Sequence, residues 1–236
     1  MIELQNVTFV YPNGILALDN VTLKITDEIT IIMGANGSGK TTLLKILACL
    51  YKPTRGRVLI DGRDFWVLNK KERLKIRRKI VYIHENPVLF RGTVLENIMY
   101  PLIVRDHHVE EARKKALSIV EKLGIKHLIN RRRQELSAGE AQLVAFARAI
   151  VADPEYILMD EPTNALDSEK REIVENFIIQ LVKKRRKFVI ATHDRLLAAR
   201  LSSKIIELSE GKILRISSSN ELLAKIKSIL FQKDES

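Results

Sequence analysis

The alternation of apolar and polar positions divides the chain into short strands and longer helices. Apolar runs at Ile2–Phe9, Val21–Ile25, Ile29–Met33 and Val58–Ile60 predict strands in the first part of the chain. Pro12-Asn13-Gly14 and Asp61-Gly62 supply turn chemistry between them. Thr42-Leu43-Leu44-Lys45-Ile46-Leu47 reads as a helix leaving the third strand, and Ile80–Ile83 as a further strand. Val109, Ala112, Ala116, Val120 and Leu123 recur at helical spacing, and Gly124 ends that helix. A second strand–helix series follows: Tyr156–Met159, a helix over 168–182, Phe188–Ala191, a helix over 194–201, Lys204–Leu208 and, past the Glu210-Gly211 turn, Lys212–Ile216. Residues 219–231 predict a last helix with Leu222, Leu223, Ile226, Ile229 and Leu230 on one face, a stripe for packing on its own domain or on a partner. Strands alternating with helices predict an α/β fold with a mainly parallel sheet, and 86–135 reads as a helical insertion.

Composition narrows the class. At 236 residues the chain is long enough for a full core. Apolar residues make up 46 %, yet no run has the length of a membrane span. Met1-Ile2-Glu3-Leu4 starts on a strand pattern, with no signal peptide visible. The single cysteine, Cys49, has no partner for an internal disulfide and falls on the apolar side of the first helix, as a buried, inert thiol. Forty Lys and Arg against 29 Asp and Glu give a net charge of +11, gathered at Lys70–Lys79, Arg131–Arg133 and Lys183–Lys187. Nucleic acid, an anionic membrane surface and plain solvated helix ends all fit such clusters. No aromatics are interleaved with them as base stacking requires, and no nucleic-acid partner is expected.

The strongest chemical signal lies at the end of the third strand. Gly34-Ala35-Asn36-Gly37-Ser38-Gly39-Lys40-Thr41-Thr42 has the makings of a phosphate cradle. Glycines let successive N–H groups turn inward around an anion, and the following helix adds its own unpaired N–H groups and positive dipole end. Lys40 is then placed for the β and γ phosphates and the Thr41 hydroxyl for Mg²⁺. Tyr156-Ile157-Leu158-Met159-Asp160-Glu161 is an apolar strand ending in two carboxylates. In a parallel sheet such a strand delivers them to the edge where ligands bind. Asp160 suits Mg²⁺, and Glu161 suits polarising an attacking water.

With those two motifs the chain resembles the nucleotide-binding subunits of ATP-binding cassette (ABC) transporters, over residues 1–215 and in the expected order. Leu136-Ser137-Ala138-Gly139-Glu140 is similar to the family's signature loop, Ala165-Leu166-Asp167 to the loop that meets the opposing subunit, and Ala191-Thr192-His193-Asp194 to its histidine switch. Tyr11 falls where the family stacks an aromatic ring on adenine. The resemblance implies an ATPase that uses ATP and Mg²⁺, with a P-loop parallel-sheet core, an antiparallel β subdomain and an inserted helical signature subdomain. It implies a head-to-tail dimer in which Ser137, Ala138, Gly139, Glu140 and Asp167 of one copy complete the nucleotide site of the other. His193 is expected to bond the γ-phosphate and hold water and Glu161 in line.

The resemblance also implies domain bounds: an ATPase domain over 1–216, its helical part about 86–153, and a short tail over 217–236. It implies separate integral membrane permease subunits and a peripheral place on the cytoplasmic side of the membrane. Phe90–Ile98 is similar to the segment that docks a permease. Met99-Tyr100-Pro101-Leu102 with Arg105 is similar to importers of oxyanions such as tungstate or molybdate, so import is expected. An exporter subunit, a soluble iron–sulfur assembly ATPase and a nucleic-acid-associated ATPase are the competing readings. The chain departs from the family at Glu85, where a Mg²⁺-coordinating glutamine is usual, unless Asn86 takes that place by a one-residue shift. It departs again at Ala138, where glycine is usual; a need for positive φ there would cost about 1 kcal/mol.

Overall fold

The computed structural model describes residues 1–218 together with Asn220 and Glu221. The helix expected over 219–231 falls almost wholly outside them. In chain order the elements are β1 (Ile2–Val10), β2 (Leu16–Ile25), β3 (Ile29–Met33), α1 (Lys40–Leu47), β4 (Arg55–Ile60), β5 (Arg63–Asp64), α2 (Lys70–Arg77), β6 (Ile80–Ile83), α3 (Val94–Ile103), α4 (Val109–Lys122), α5 (Ala138–Ile150), β7 (Tyr156–Asp160), α6 (Ser168–Lys183), β8 (Lys187–Ala191), α7 (Arg195–Leu201), β9 (Lys204–Ser209) and β10 (Lys212–Ser217). They form two compact units, one of residues 1–77 with the chain from Lys187 onward, the other of residues 78–186.

The first unit holds an antiparallel sheet in the order β2-β1-β4-β5. It also holds β3 flanked by β8 and β9, both parallel to it, with β10 antiparallel at the edge. All five residues of β3 are buried, as expected for the middle of a covered parallel sheet. Each large apolar side chain so placed contributes about 1.5–3 kcal/mol. That strand aims the chain straight into the cradle. Cys49 lies past the end of α1 rather than on it, in left-handed backbone (φ 57°), and is fully buried.

The second unit pairs β6 parallel to β7, packs α5 against β6, and sets α3, α4 and α6 against α5. Phe146 of α5 and Phe177 of α6 pack edge to face, with ring centroids 5.9 Å apart, in its core. Three short sequences of one kind start helices by reciprocal capping. In Asn69–Glu72, Thr93–Glu96 and Ser137–Glu140 the first side chain accepts from the fourth residue's N–H, and the fourth carboxylate accepts from the first residue's N–H.

Candidate nucleotide site

The cradle is built by backbone. Gly37 and Gly39 take φ of 79° and 104°, and a β-carbon at Gly39 would stand 2.6 Å from the Ala17 carbonyl oxygen. Gly39 is the N-cap of α1 and has no side chain to cap it, so the first N–H groups of the helix face the loop uncapped. The Ser38 N–H donates to Ala35 O at 3.2 Å, and the Gly211 N–H donates to Ser38 O at 3.0 Å, bracing the loop from the β9–β10 turn. Ala35 and Asn36 are exposed at the tip. Lys40, only 6 % exposed, folds back over the loop and donates to Gly34 O at 2.8 Å and Ala35 O at 3.1 Å. Its ammonium is therefore held by carbonyl dipoles at the mouth of an anion cradle. Thr41 follows it in the first turn of α1.

Tyr11 closes one side. Its hydroxyl lies 2.8 Å from Thr42 Oγ1, and its ring meets Phe9 edge-on at 5.0 Å. Phe9 stacks on Tyr51 at 5.3 Å, and the Lys45 ammonium stands over the Tyr51 ring. His193 follows β8 on the other side. The buried Thr192 anchors it by donating to Ile32 O, and Asp194 caps α7. A cavity of about 420 Å³ is lined by His193, Gly34, Ala35 and Arg195, so the structure brings the switch histidine and the cradle entrance together.

In the second unit β7 ends on Asp160, 3 % exposed, and the chain turns sharply at Glu161, 8 % exposed. Glu161 takes left-handed backbone, φ 42°, an uncommon conformation for a residue with a β-carbon. The Tyr82 hydroxyl, from β6, donates to Asp160 Oδ2 at 3.0 Å. Glu85 lies just past β6 and accepts from Asn164 Nδ2 at 3.2 Å, which links that loop to the segment after Glu161. Asn86 N–H instead donates to His84 Nδ1.

The signature residues open α5. Ser137 is its N-cap: Oγ accepts from the Glu140 N–H at 3.2 Å, and Glu140 Oε2 accepts from the Ser137 N–H at 2.7 Å. That bond uses an acceptor lone pair of Ser137 and leaves its O–H hydrogen to donate elsewhere. The Ser137 N–H, above all, holds the Glu140 carboxyl below its usual range. Ala138 is the first helical residue and lies outside the left-handed region, so alanine carries no torsional penalty there. Gly139 has a different reason: a β-carbon would stand 2.7 Å from the Ala165 carbonyl oxygen. The helix start and the loop before Asp167 thus pass at a distance only glycine permits. Asp167 caps α6 by accepting from the Lys170 N–H at 2.9 Å, and the Lys170 ammonium beside it depresses its carboxyl pKa.

A family model described as ABC transporter matches residues 18–164. The chain belongs to the ABC transporter family. The ABC transporter ATP-binding protein MJ0796 of Methanocaldococcus jannaschii is 41 % identical over 233 residues, covering 91 % of this chain and 96 % of that one. A dimeric structure of MJ0796 in a post-hydrolysis state, bound to ADP and Pi, has a TM-score of 0.87 at 38 % identity, covering 93 % of this chain and 99 % of that one. The phosphate import ATP-binding protein PstB 2 of Natronomonas pharaonis is 36 % identical over 212 residues, 86 % of this chain and 75 % of that protein. The macrolide export ATP-binding/permease protein MacB of Hyphomonas neptunium is 37 % identical over 232 residues. These cover 95 % of this chain but 36 % of MacB, so the chain spans about a third of that relative's length. As an ABC cassette the chain binds ATP and is an ATPase. No helix among the described residues is long and apolar enough to cross a membrane.

Tyr82 and Asn164 carry no signal of these roles in the sequence, where Ala165 is legible only as part of the loop before Asp167. Tyr82 sits in an ordinary apolar strand, and only the register of β6 on β7 reveals its hydroxyl as a partner of Asp160. Helix α2 also went unread, and α3 was read only as part of the helical insertion over 86–135, although Asn69-x-x-Glu72 and Thr93-x-x-Glu96 were visible capping signals.

Proposed function

We propose that this chain is the ATP-driven motor of a membrane transporter, acting as a head-to-tail pair of copies on the cytoplasmic side of the membrane beneath separate permease subunits. The observation that carries the proposal is the pairing, on one chain, of a glycine-capped cradle with a second helix start at Ser137–Glu140. Two such anion-seeking ends on opposite copies suit one triphosphate between them. The ADP- and Pi-bound dimer of MJ0796 supports this arrangement.

In this reading Tyr11 stacks on the adenine. The cradle amides of residues 34–42 wrap the phosphates, and Lys40 moves from the Gly34 and Ala35 carbonyls to the β and γ oxygens. Glu161 accepts a proton from the attacking water, His193 holds the γ-phosphate in line, and Ser137 donates its O–H across the dimer. Asp167 of each copy faces the other. A Mg²⁺ ion bound with the nucleotide would call for hard oxygen donors from the protein, usually one or two carboxylates. Asp160, a buried strand-end carboxylate steadied by Tyr82, and the Thr41 hydroxyl fit that demand, with Glu85 as a further oxygen donor. No cluster of three or more His, Cys, Asp or Glu that could hold a metal occurs among the described residues, and in this reading the nucleotide would add oxygen ligands of its own. When bound, the cation neutralises charge on the transferred phosphoryl group.

Import is the direction in this proposal, on the likeness of residues 99–102 to importer subunits and in line with PstB 2. The macrolide exporter MacB marks the competing outcome. An oxyanion cargo has a weaker basis, because Arg105 is engaged by the Ala152 and Arg78 carbonyls at 3.0 and 2.9 Å. The test is a tagged Glu161→Gln chain purified from native membranes with Mg-ATP. Polytopic membrane proteins in stable ratio with a dimer are expected; RNA or only soluble proteins would overturn the transport role.

A further inference from the structure

Helix α2 is held in place by arginines and presents lysines to solvent. None of its residues is buried, although it packs beside the fully buried Phe65 ring. The guanidinium carbons of Arg73 and Arg77, one turn apart, lie 5.9 and 5.5 Å from that ring's centroid. Arg73 Nε donates to Leu68 O at 2.8 Å and Nη2 to Trp66 O, while Arg77 Nη2 donates to Cys49 O at 3.2 Å. Contact with the ring and carbonyl acceptors commit both guanidinium groups to the fold.

The arc from Lys70 to Lys75 is built differently. Lys70, Lys71, Leu74 and Lys75 fall within about 140° of one another around the helix axis, and all four are exposed. Leu74 is 53 % exposed, and Val67, just ahead of the helix, is 77 % exposed. The acids of the same stretch are turned to other partners. Asp61 takes the Met1 amino group, Asp64 the Trp66 N–H, and Glu72 both Arg63 and the Asn69 N–H. Residues 61–77 carry six Lys and Arg against three Asp and Glu, and the lysines beside Leu74 form the outward charge.

We propose that this face of α2 lies on the bilayer itself, its lysines on the phosphates of anionic lipids and Leu74 and Val67 entering the boundary with the acyl chains. The proposal rests on the transport reading, which brings the chain to the membrane, and adds a contact made to lipid rather than to permease. Lysine suits this place because its amine extends into the headgroups while its methylene stem covers apolar surface. Each such cation near an anionic bilayer tightens binding about fivefold. The two aliphatic residues decide between polyanions. A nucleic acid would meet the lysines equally well but offers exposed Val and Leu nothing, whereas the acyl boundary receives them. Base stacking needs a free aromatic ring, and the neighbouring Trp66 ring packs against Phe65 and Arg73 instead.

The test is flotation of the purified full chain with vesicles of phosphatidylcholine, alone or with about one-third phosphatidylglycerol. Binding is expected only to the anionic vesicles and should be lost in about 0.5 M salt. Lys70→Gln, Lys71→Gln, Lys75→Gln should weaken it about 100-fold. Val67→Ser, Leu74→Ser should weaken it about tenfold, and both variants should hydrolyse ATP in solution like the parent. A control that removes equal charge elsewhere, Lys183→Gln, Lys184→Gln, Arg185→Gln, should bind within about twofold of the parent. No binding to anionic vesicles, equal loss in the control, or apolar variants that bind like the parent would overturn the proposal. So would an RNA that binds the parent as tightly as the anionic vesicles do and is lost in the same lysine variant. The membrane purification above tests the transport role separately, because permease subunits can hold the chain whether or not α2 touches lipid.

Discussion

The Tyr82 hydroxyl donates to Asp160 Oδ2 at 3.0 Å, across neighbouring parallel strands. A strand without a nucleotide motif thereby orients the carboxylate proposed to hold Mg²⁺. Tyr82→Phe removes the donor and keeps the ring. Loss of a hydrogen bond to a charged group should lower stability by about 1–2 kcal/mol in a urea titration. The same variant should need more Mg²⁺ for half-maximal ATP hydrolysis; identical Mg²⁺ curves would mean the hydroxyl serves folding only.

Glu161→Gln should abolish turnover while sparing nucleotide binding. Removing a positioned general base lowers rates by about 10²–10⁴. Phosphate release and binding of a fluorescent ATP analogue separate the two effects, and light scattering with Mg-ATP should show a persistent dimer.

Glu85 offers two separable properties, a negative charge and an acceptor for Asn164. Glu85→Gln keeps an acceptor oxygen and drops the charge, whereas Glu85→Ala drops both. If the charge matters to the cation, both variants shift the Mg²⁺ titration of ATPase activity equally. If the tie to Asn164 matters, only alanine changes the rate. A Gln variant with an unaltered titration would remove Glu85 from the set of metal ligands.

The capping boxes of α3 and α5 make the protein sensitive to acid. Glu96 is held below its usual range chiefly by the Thr93 N–H, and Glu140 chiefly by the Ser137 N–H. A carboxylate with a depressed folded-state pKa stabilises the fold above its unfolded value, near 4.3, and that contribution disappears as pH falls through the folded value. Helical circular dichroism should therefore decline below about pH 4. A Glu96→Gln, Glu140→Gln chain should start less stable at pH 7 and depend less on pH between pH 5 and 2.

Cys49 should be silent toward alkylation. Burial pushes its thiol up to about 12, so almost no thiolate exists at neutral pH. Iodoacetamide at pH 8 should leave the folded chain unmodified and label it fully in denaturant; rapid labelling of the folded chain would show that the end of α1 opens readily.

How far the sequence could be read depended on where each signal resides. The strands Ile29–Met33 and Ile80–Ile83 were legible to the residue, because each is dominated by β-branched apolar side chains, buried throughout the first and at both ends of the second. β2 was read only from Val21, since its first half carries exposed Leu16 and polar residues at a sheet edge. α2 has no buried residue, so no apolar period betrayed it; its only local mark was the Asn69–Glu72 box. The cradle could be read because glycine spacing dictates backbone shape. Tyr82–Asp160, Glu85–Asn164 and the approach of Gly139 to Ala165 could not, because each depends on strand register or on loop packing between distant residues.

The left-handed turn at Glu161 has a consequence for anyone breeding this protein. Glycine is the residue at ease in that conformation, and substituting it would relieve torsional strain of about 1–2 kcal/mol. A screen that rewards heat resistance alone would drift toward glycine at position 161 and return a hardier chain that no longer turns over ATP. Any such campaign must therefore assay hydrolysis in every round, since at this position robustness and work pull apart.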